Sequence, residues 1–415
     1  MKKTDVIIIG GGASGMCAAL VLKNIAPKLN IVILEQLSRV GKKLIVTGNG
    51  RCNITNKNIE MSRYHSENTG FCEYALTKFN NSEIESFFER IGVLFVSDEE
   101  NRVYPYSFQA SSVVDALRFS NENCGVITYT DTKAEKISKD SLGYTVHTAS
   151  GDFFCSALVV ASGLLSGGKK LGSDGSVLRL LRDDFGYKTV NLSPAIVQLK
   201  TENDVTKRLK GIKVNATVSI KCENGISRTE YGEVLFCDYG LSGPPVLQVS
   251  RLAEREKGKK TVSLDLMPQY DYSALCDMLK ERSQHLKGRE YAEFFTGMLN
   301  KRLGQTVLLL CKKKLNDKVC ILSNKEIKEI ASRIKNFSFN VISTTGFDNS
   351  QVTAGGLDTK QFNPETMMSK KDKGLFAVGE VLDVDGDCGG FNLQWAWSSA
   401  MCAALGVKAY LENKK

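Results

Sequence analysis

Histidine is scarce in this 415-residue chain: His65, His147 and His285 stand far apart, with no partners at ligand spacing. A structural metal centre is therefore not expected. Twelve cysteines are present, at positions 17, 52, 72, 124, 155, 222, 237, 276, 311, 320, 388 and 402, yet no two have C-x-x-C spacing. That excludes a thioredoxin-like dithiol and a zinc ribbon, and leaves thiols that pack as small hydrophobes in a reducing compartment. No stretch approaches the roughly 18 uninterrupted apolar residues of a membrane span. Met1-Lys2-Lys3 is followed by Asp5 and a glycine turn, not by the apolar core of a signal peptide. A soluble, cytoplasmic protein without a membrane partner is expected. Neither an internal repeat nor a low-complexity linker interrupts the chain.

What is present begins at once. Val6–Ile9 reads as a short, all-apolar buried strand, and Gly10-x-Gly12-x-x-Gly15 leads from it into a helix starting near Ala13. Glycines at this spacing permit a tight turn, close backbone approach to a pyrophosphate and helix–strand packing. The N–H groups of Ala13 and Ser14 open the helix that would hold the phosphates. A second apolar strand, Ile31–Leu34, ends in Glu35-Gln36, twenty residues after Gly15, where a carboxylate accepts from adenosine ribose hydroxyls. Strand, turn, helix, strand and acid together predict dinucleotide binding.

The first 190 residues have α/β texture. Ser82-x-x-Glu85 is read as a capping box opening a helix to about Ile91, and Ser111–Phe119 as another helix. Gly125–Tyr129, Lys133–Ser138 and Tyr144–Ala149 read as strands, and Leu158–Gly163 as a buried strand ending in a small-residue turn, followed by a helix over Leu178–Asp184. From about Asn191 alternating segments at Val214–Lys221, Glu233–Cys237 and Thr261–Leu266 predict antiparallel strands around a Gly-Leu-Ser-Gly-Pro-Pro turn at 240–245. Tyr272–Leu303 is helical in pattern, and Phe339–Ser343 is strand-like. The expected organisation is a nucleotide-binding domain, 1–190 and 346–415, interrupted at 191–345. The insertion is expected to be β-rich over 191–270 and 304–345 and helical over 271–303.

Two further stretches suit a phosphorylated cofactor. Residues 39–56 interleave glycines with Lys42, Lys43 and Arg51, and include Gly50, Cys52 and Asn53. Leu375–Glu380 reads as a third strand ending at Gly379-Glu380, leading through Asp383 to Gly390-Phe391-Asn392-Leu393 and a small-residue helix from Trp395 to about Leu411. A helix N-terminus there would face developing negative charge on a flavin.

The motifs Gly10–Gly15, Gly50-Arg-Cys-Asn-Ile-Thr-Asn56, Asn101-Arg-Val-Tyr-Pro105, Gly240-Leu-Ser-Gly-Pro244, Val352-Thr-Ala-Gly-Gly356 and Gly379-Glu-Val-Leu-Asp-Val-Asp385 together resemble the BaiN-like, or aminoacetone-oxidase-type, FAD flavoproteins over essentially the full length. The resemblance implies a two-dinucleotide-binding-domain flavoprotein fold with a β-barrel-like and helical insertion, and non-covalent FAD. Gly48-Asn49-Gly50 departs from the family's Gly-Gly-Gly before Arg-Cys-Asn. Ala161-Ser162-Gly163 matches a turn often written Ala-Thr-Gly, and Ala134 lies where such proteins touch adenine through the backbone. Family members are associated with reduction of activated double bonds in oxidised bile acids and with aminoacetone oxidation.

The leading expectation is an FAD-dependent oxidoreductase in which NAD(P)H drives reduction of an electron-poor alkene, with a small-molecule substrate. Arg102 and Tyr104 are the catalytic candidates, for carbonyl anchoring or proton donation; their alternative roles are a salt-bridged loop residue and a packing ring. Cys52 either modulates the flavin or is a packed thiol. No second GxGxxG marks a nicotinamide domain. Residues 191–345 hold 26 basic against 17 acidic residues, so the net charge of +9 lies wholly there. Lys207-Arg208-Leu-Lys210, Lys257-Gly-Lys259-Lys260 and Lys312–Lys314 form either a solvated basic surface or a steering field for an anion. The rivals are an oxygen-using amine or aminoketone oxidase and an RNA-associated flavoprotein. Nucleic acid is disfavoured by the lack of aromatics interleaved with the basic residues. Oligomeric state is not legible.

Overall fold

The computed structural model describes residues 1–202 and 204–414. The chain divides into two compact units, Met1–Pro194 with Gln351–Lys415, and Ala195–Ser350.

The first unit is built on a seven-stranded sheet. Its parallel centre runs Ile127–Tyr129, Ile31–Leu34, Lys2–Ile9 and Gly151–Val160. Val6, Ile7 and Ile8 are fully buried, as an all-apolar strand covered on both faces must be. One edge of Gly151–Val160 serves two partners. Its first half pairs antiparallel with Tyr144–Thr148, and its last three residues pair parallel with Leu375–Ala377. Helix Ala13–Ile25 follows the first strand, and the 23-residue helix Phe391–Asn413 packs against it. The C-terminal helix is buried nearly all round, with Trp395, Trp397 and Trp397's neighbours Ser398 and Ser399 inside. Trp397 Nε1 donates to the Ile54 carbonyl at 3.0 Å and Trp395 Nε1 to that of Gly379 at 3.1 Å. A small sheet of Thr55–Asn56, Arg102–Pro105 and Phe95–Ser97 completes this unit's site region.

The second unit is a closed six-stranded barrel in the order Leu199–Thr201, Gly240–Ser242, Ser227–Cys237, Lys213–Cys222, Lys260–Asp265 and Phe337–Thr344. Phe236, Phe337 and Phe339 meet edge-on in its core. Helices Pro244–Arg255, Tyr272–His285, Lys301–Leu310 and Asn324–Lys335 belong to the same unit.

Several local expectations are corrected. Helix Asn81–Arg90 is capped by Asn80, whose side chain accepts from the Glu83 amide, not by Ser82 and Glu85; the earlier Asx residue takes the cap because Ser82 already lies in the first turn. Residues 304–335, expected as β-rich, are mostly helical. Ser323 and Glu326 form a reciprocal capping box there, and Ile327, Ile330, Ala331 and Ile334 bury one face at helical spacing. Pro244, read as part of a turn, instead starts a helix, where its missing N–H is no loss. Arg102 and Tyr104 lie on a strand rather than a loop, and the last helix opens at Phe391, four residues before Trp395.

Candidate cofactor and substrate site

The three fingerprint glycines divide their work. A Cβ on Gly15 would be driven into the Gly10 carbonyl oxygen, and one on Gly10 into that of Ala161, so these two allow close packing of helix and strands. A Cβ on Gly12 would meet nothing within 4 Å. The open space beside the N-terminus of a 13-residue helix is where a pyrophosphate fits. That helix has no side-chain cap, so its first N–H groups, including those of Ala13 and Ser14, are left for a ligand.

Glu35 is buried at the end of its strand. Its Oε2 accepts from the Gly11 amide and its Oε1 from the Leu37 amide, both at 2.8 Å. Burial pushes its carboxyl above the usual range, partly offset by these two amides and by the charge of Lys42. Each oxygen keeps a lone pair for a ribose hydroxyl. The Thr132 amide donates to the Glu35 carbonyl, which brings the strand-end segment before the buried Ala134 alongside. Gln36 is occupied elsewhere, donating to the Gly172 carbonyl at 2.6 Å.

Several expected cofactor ligands are joined to one another. Lys43 Nζ pairs with Glu380 Oε2 at 2.5 Å. Glu380 Oε1 accepts from the Thr353 amide at 3.1 Å, and Thr353 Oγ1 in turn accepts from the Leu165 and Ser166 amides. This brace holds the turn after Ala161-Ser162-Gly163, and neither Thr353 nor Ser166 was singled out in the sequence. Gly379, at φ +70°, lies so close to Ser14 that a Cβ would sit 2.8 Å from its Oγ. Asp383 Oδ2 accepts from the Glu67 amide at 2.9 Å. The Asn392 carboxamide is bonded back to Gly386 through both atoms, at 2.8 and 2.7 Å. Phe391 packs edge-on against Tyr64, and its carbonyl accepts from that residue's hydroxyl, while Leu393 lies half-buried one residue beyond Asn392.

A second cluster forms where residues 48–53 meet the small sheet and the start of the C-terminal helix. The backbone turns through left-handed conformations at Gly48, Asn49, Gly50 and Cys52. Non-glycine residues in this region are uncommon and concentrate at functional sites. A Cβ on Gly48 would lie 3.5 Å from the Tyr104 ring, and one on Gly390 would lie 2.9 Å from Asn53 Oδ1. The Arg51 guanidinium sits over the Tyr104 ring, 5.0 Å from its centroid. Arg102 is held by Asp98 at 2.7 Å and Glu100 at 2.9 Å. Arg102 thus makes the salt bridges of its alternative role, through Nε and Nη1. Burial raises the Tyr104 phenol above its ordinary range, while the Arg102 and Arg51 charges work against that shift. Cys52 is fully buried and its thiol is pushed up to about 12, which makes it a packed, neutral group. Arg63 and His65, both bonded to Asp387 beside this cluster, gave no motif by which sequence reasoning could find them.

In the basic clusters, Lys210 pairs with Asp238 and Lys313 with Glu326, while Lys312 and Lys314 have no ion pair among the described residues. No described helix is long and apolar enough to cross a membrane.

A 3-dehydro-bile acid delta(4,6)-reductase of Clostridium scindens is 34% identical over 402 residues, covering 95% of this chain and 97% of that protein. A ribosomal RNA dihydrouridine synthase of Escherichia coli is 29% identical over 416 residues, covering 97% of this chain and 98% of the relative. Among solved structures, the 3-ketosteroid delta1-dehydrogenase of Sterolibacterium denitrificans superposes with a TM-score of 0.51 at 11% identity, over 99% of this chain and 100% of that one. The description "HI0933-like protein Rossmann domain" matches residues 4–406. The chain therefore belongs to the HI0933-like family, with the Rossmann-type α/β fold and inserted barrel seen here.

Proposed function

We propose that this protein is an FAD-dependent oxidoreductase that uses NAD(P)H to reduce a carbon–carbon double bond conjugated with a carbonyl. The observation that carries the reading is the open cradle at Gly12, bounded by helix N–H groups and followed by the buried carboxylate of Glu35. That donor and acceptor set suits a pyrophosphate and an adenosine ribose. FAD held there would supply hydride transfer to the alkene β-carbon.

The remaining work belongs to side chains. Tyr104 is the proton donor to the α-carbon, because no hydrogen bond within the protein engages its hydroxyl among the described residues. Arg51, stacked on that ring and without a carboxylate partner among the described residues, orients the flat conjugated system. Arg102 acts through charge, holding the phenol down against burial. The name of the bile-acid reductase relative supports an enone substrate. The test is anaerobic mixing of the yellow protein with NADH or NADPH, then with a steroid enone. Bleaching by nicotinamide and recovery on enone addition support the reading. Bleaching by an aminoketone alone would overturn it in favour of an oxidase.

The relatives named ribosomal RNA dihydrouridine synthases favour a second substrate for the same chemistry. The uracil C5=C6 bond is also conjugated with a carbonyl, and the basic excess of residues 191–345 suits a phosphate backbone. Dihydrouridine appearing in ribosomal RNA after incubation with protein and NAD(P)H, with no turnover of enones, would select this reading.

A further inference from the structure

Tyr104 is only 3% exposed, but two of the groups beside its ring stand in solvent. The Arg51 guanidinium lies 5.0 Å from the ring centroid, and the Phe108 ring lies 5.8 Å from it at an interplanar angle of 38°. Phe108 is 45% exposed, a large apolar surface to leave in water beside a proton donor. Its backbone is also unusual. At Phe108 φ is +51°, a left-handed conformation in which a bulky side chain is an outlier. The surrounding turn imposes it: the Phe108 amide donates to the Pro105 carbonyl at 2.8 Å, and the Ser107 and Ser112 hydroxyls meet at 2.7 Å. Glycine or asparagine would take that backbone at lower cost. Stability therefore does not explain a phenylalanine here, and strain of this kind concentrates where ligands are held. Further exposed apolar side chains lie on the segments that meet at Tyr104. Tyr106 is two residues along the same strand end, and Val46 is two residues before Gly48, whose Cβ would lie 3.5 Å from the Tyr104 ring.

We propose that Phe108 is a specificity-determining residue, a flat apolar shelf beside Tyr104 that takes the rings of a polycyclic enone beyond its reacting ring. The inference rests on the enone reading above and adds the size and shape of the substrate. A monocyclic enone presents its conjugated system to Tyr104 and Arg51 and ends there. A fused polycycle extends past them, and its apolar face covers the exposed part of the Phe108 ring. Only the polycycle gains affinity from that contact. The shelf carries no charge of its own, which suits a fused hydrocarbon better than a phosphate backbone.

Phe108→Asn accepts the left-handed backbone and removes the ring, whereas Phe108→Trp keeps a flat apolar ring. Full-length holoenzyme of each is tested with 4-androstene-3,17-dione and with 2-cyclohexenone. Equilibrium dialysis measures steroid binding, and anaerobic reoxidation of dithionite-reduced flavin measures reaction with both enones. Phe108→Asn should bind the steroid about ten-fold more weakly, the loss expected for about half of a buried phenylalanine side chain. Its reoxidation by 2-cyclohexenone should match wild type, and Phe108→Trp should bind the steroid as tightly as wild type does. The melting temperature of Phe108→Asn should equal or exceed that of wild type, because the backbone strain is relieved. A melting temperature several degrees lower overturns the proposal by making the ring structural. Equal slowing with both enones overturns it too, since that marks a displaced Tyr104. So does steroid affinity that is absent in wild type or unchanged in Phe108→Asn, even if that variant loses affinity for an oligouridine, which would make Phe108 a base-stacking ring. If wild type binds the steroid but neither enone reoxidises the flavin, the enone-reduction reading fails instead, and dialysis alone decides the shelf.

Discussion

Lys43 and Glu380 lie 337 residues apart in sequence and 2.5 Å apart in space, and the carboxylate that receives the lysine also receives the Thr353 amide. Both residues looked like cofactor ligands in the sequence. Their pairing makes them a strut between the glycine-rich segment after the second strand and the strand Val352–Leu357. The pair is about one-fifth to one-quarter exposed, so it is neither a solvated surface bridge nor a fully dry one.

Glu380→Ala should lower stability by about 1.5–3 kcal/mol, the range for hydrogen bonds to a charged group, with Glu380→Gln closer to wild type because it keeps an acceptor for Thr353. Denaturant unfolding of the apoprotein checks this. Loss of FAD affinity with unchanged stability would return both residues to the cofactor.

The fingerprint glycines should separate under mutation. Gly12→Val should leave the apoprotein folded, with a melting temperature near wild type, and abolish FAD retention, since the new side chain occupies otherwise open space. Gly15→Ala should instead destabilise the fold, because its Cβ would strike the Gly10 carbonyl. Comparing melting curves with the flavin absorbance of each purified variant distinguishes the two.

Tyr104→Phe should slow the half-reaction with an enone about 10²–10⁴-fold, while flavin reduction by NAD(P)H and FAD content are retained. Burial raises the phenol, so the donor stays protonated throughout the neutral range and wild-type turnover should show no alkaline limb from this group below its ordinary pKa of 10. Stopped-flow measurement across pH checks both statements. A silent Phe variant would leave Tyr104 as packing alone.

Acid sensitivity has an identifiable contributor in the inserted unit. The Lys313 ammonium and the Ser323 cap hold the Glu326 carboxyl down at about 2, against an ordinary 4.5. A carboxyl depressed in the folded state stabilises above its unfolded pKa and loses that contribution as pH falls through the folded value. Wild type should therefore exceed Glu326→Gln in stability at neutral pH, with the gap closing between about pH 4.5 and 2. Unfolding curves over that range test it.

The fold was legible where one physical rule acted alone. An all-apolar run, a glycine turn and a second apolar run specify the parallel core, because no other arrangement buries Val6–Ile9 on both faces. Misreadings arose where two rules competed. Residues 304–335 carry apolar side chains that suit a strand or a helix, and the caps formed by Asn300 and by Ser323 with Glu326 favour the helices. In the site, residue identity did not reveal pairing. Asp98 and Glu100 lie only four and two residues before Arg102, and Gly386 six before Asn392, yet spacing alone does not show that the intervening turns fold each pair together. The buried, unpartnered Oδ1 of Asn53 is likewise visible only once its neighbours are in place.

The divided edge of strand Gly151–Val160 has a consequence for how the chain is made. Half of that edge is filled by the hairpin just upstream, whereas the other half waits for Leu375–Ala377, more than two hundred residues later. A ribosome therefore releases the barrel-bearing unit before the nucleotide-binding sheet can be completed. During that interval Leu158, Val159 and Val160 present an unpaired apolar edge, the kind of template that recruits other chains. Polypeptides stopped short of residue 375 should aggregate even though their fingerprint, insertion and most of their strands are intact, and cofactor would be captured only after Leu375–Ala377 has been made.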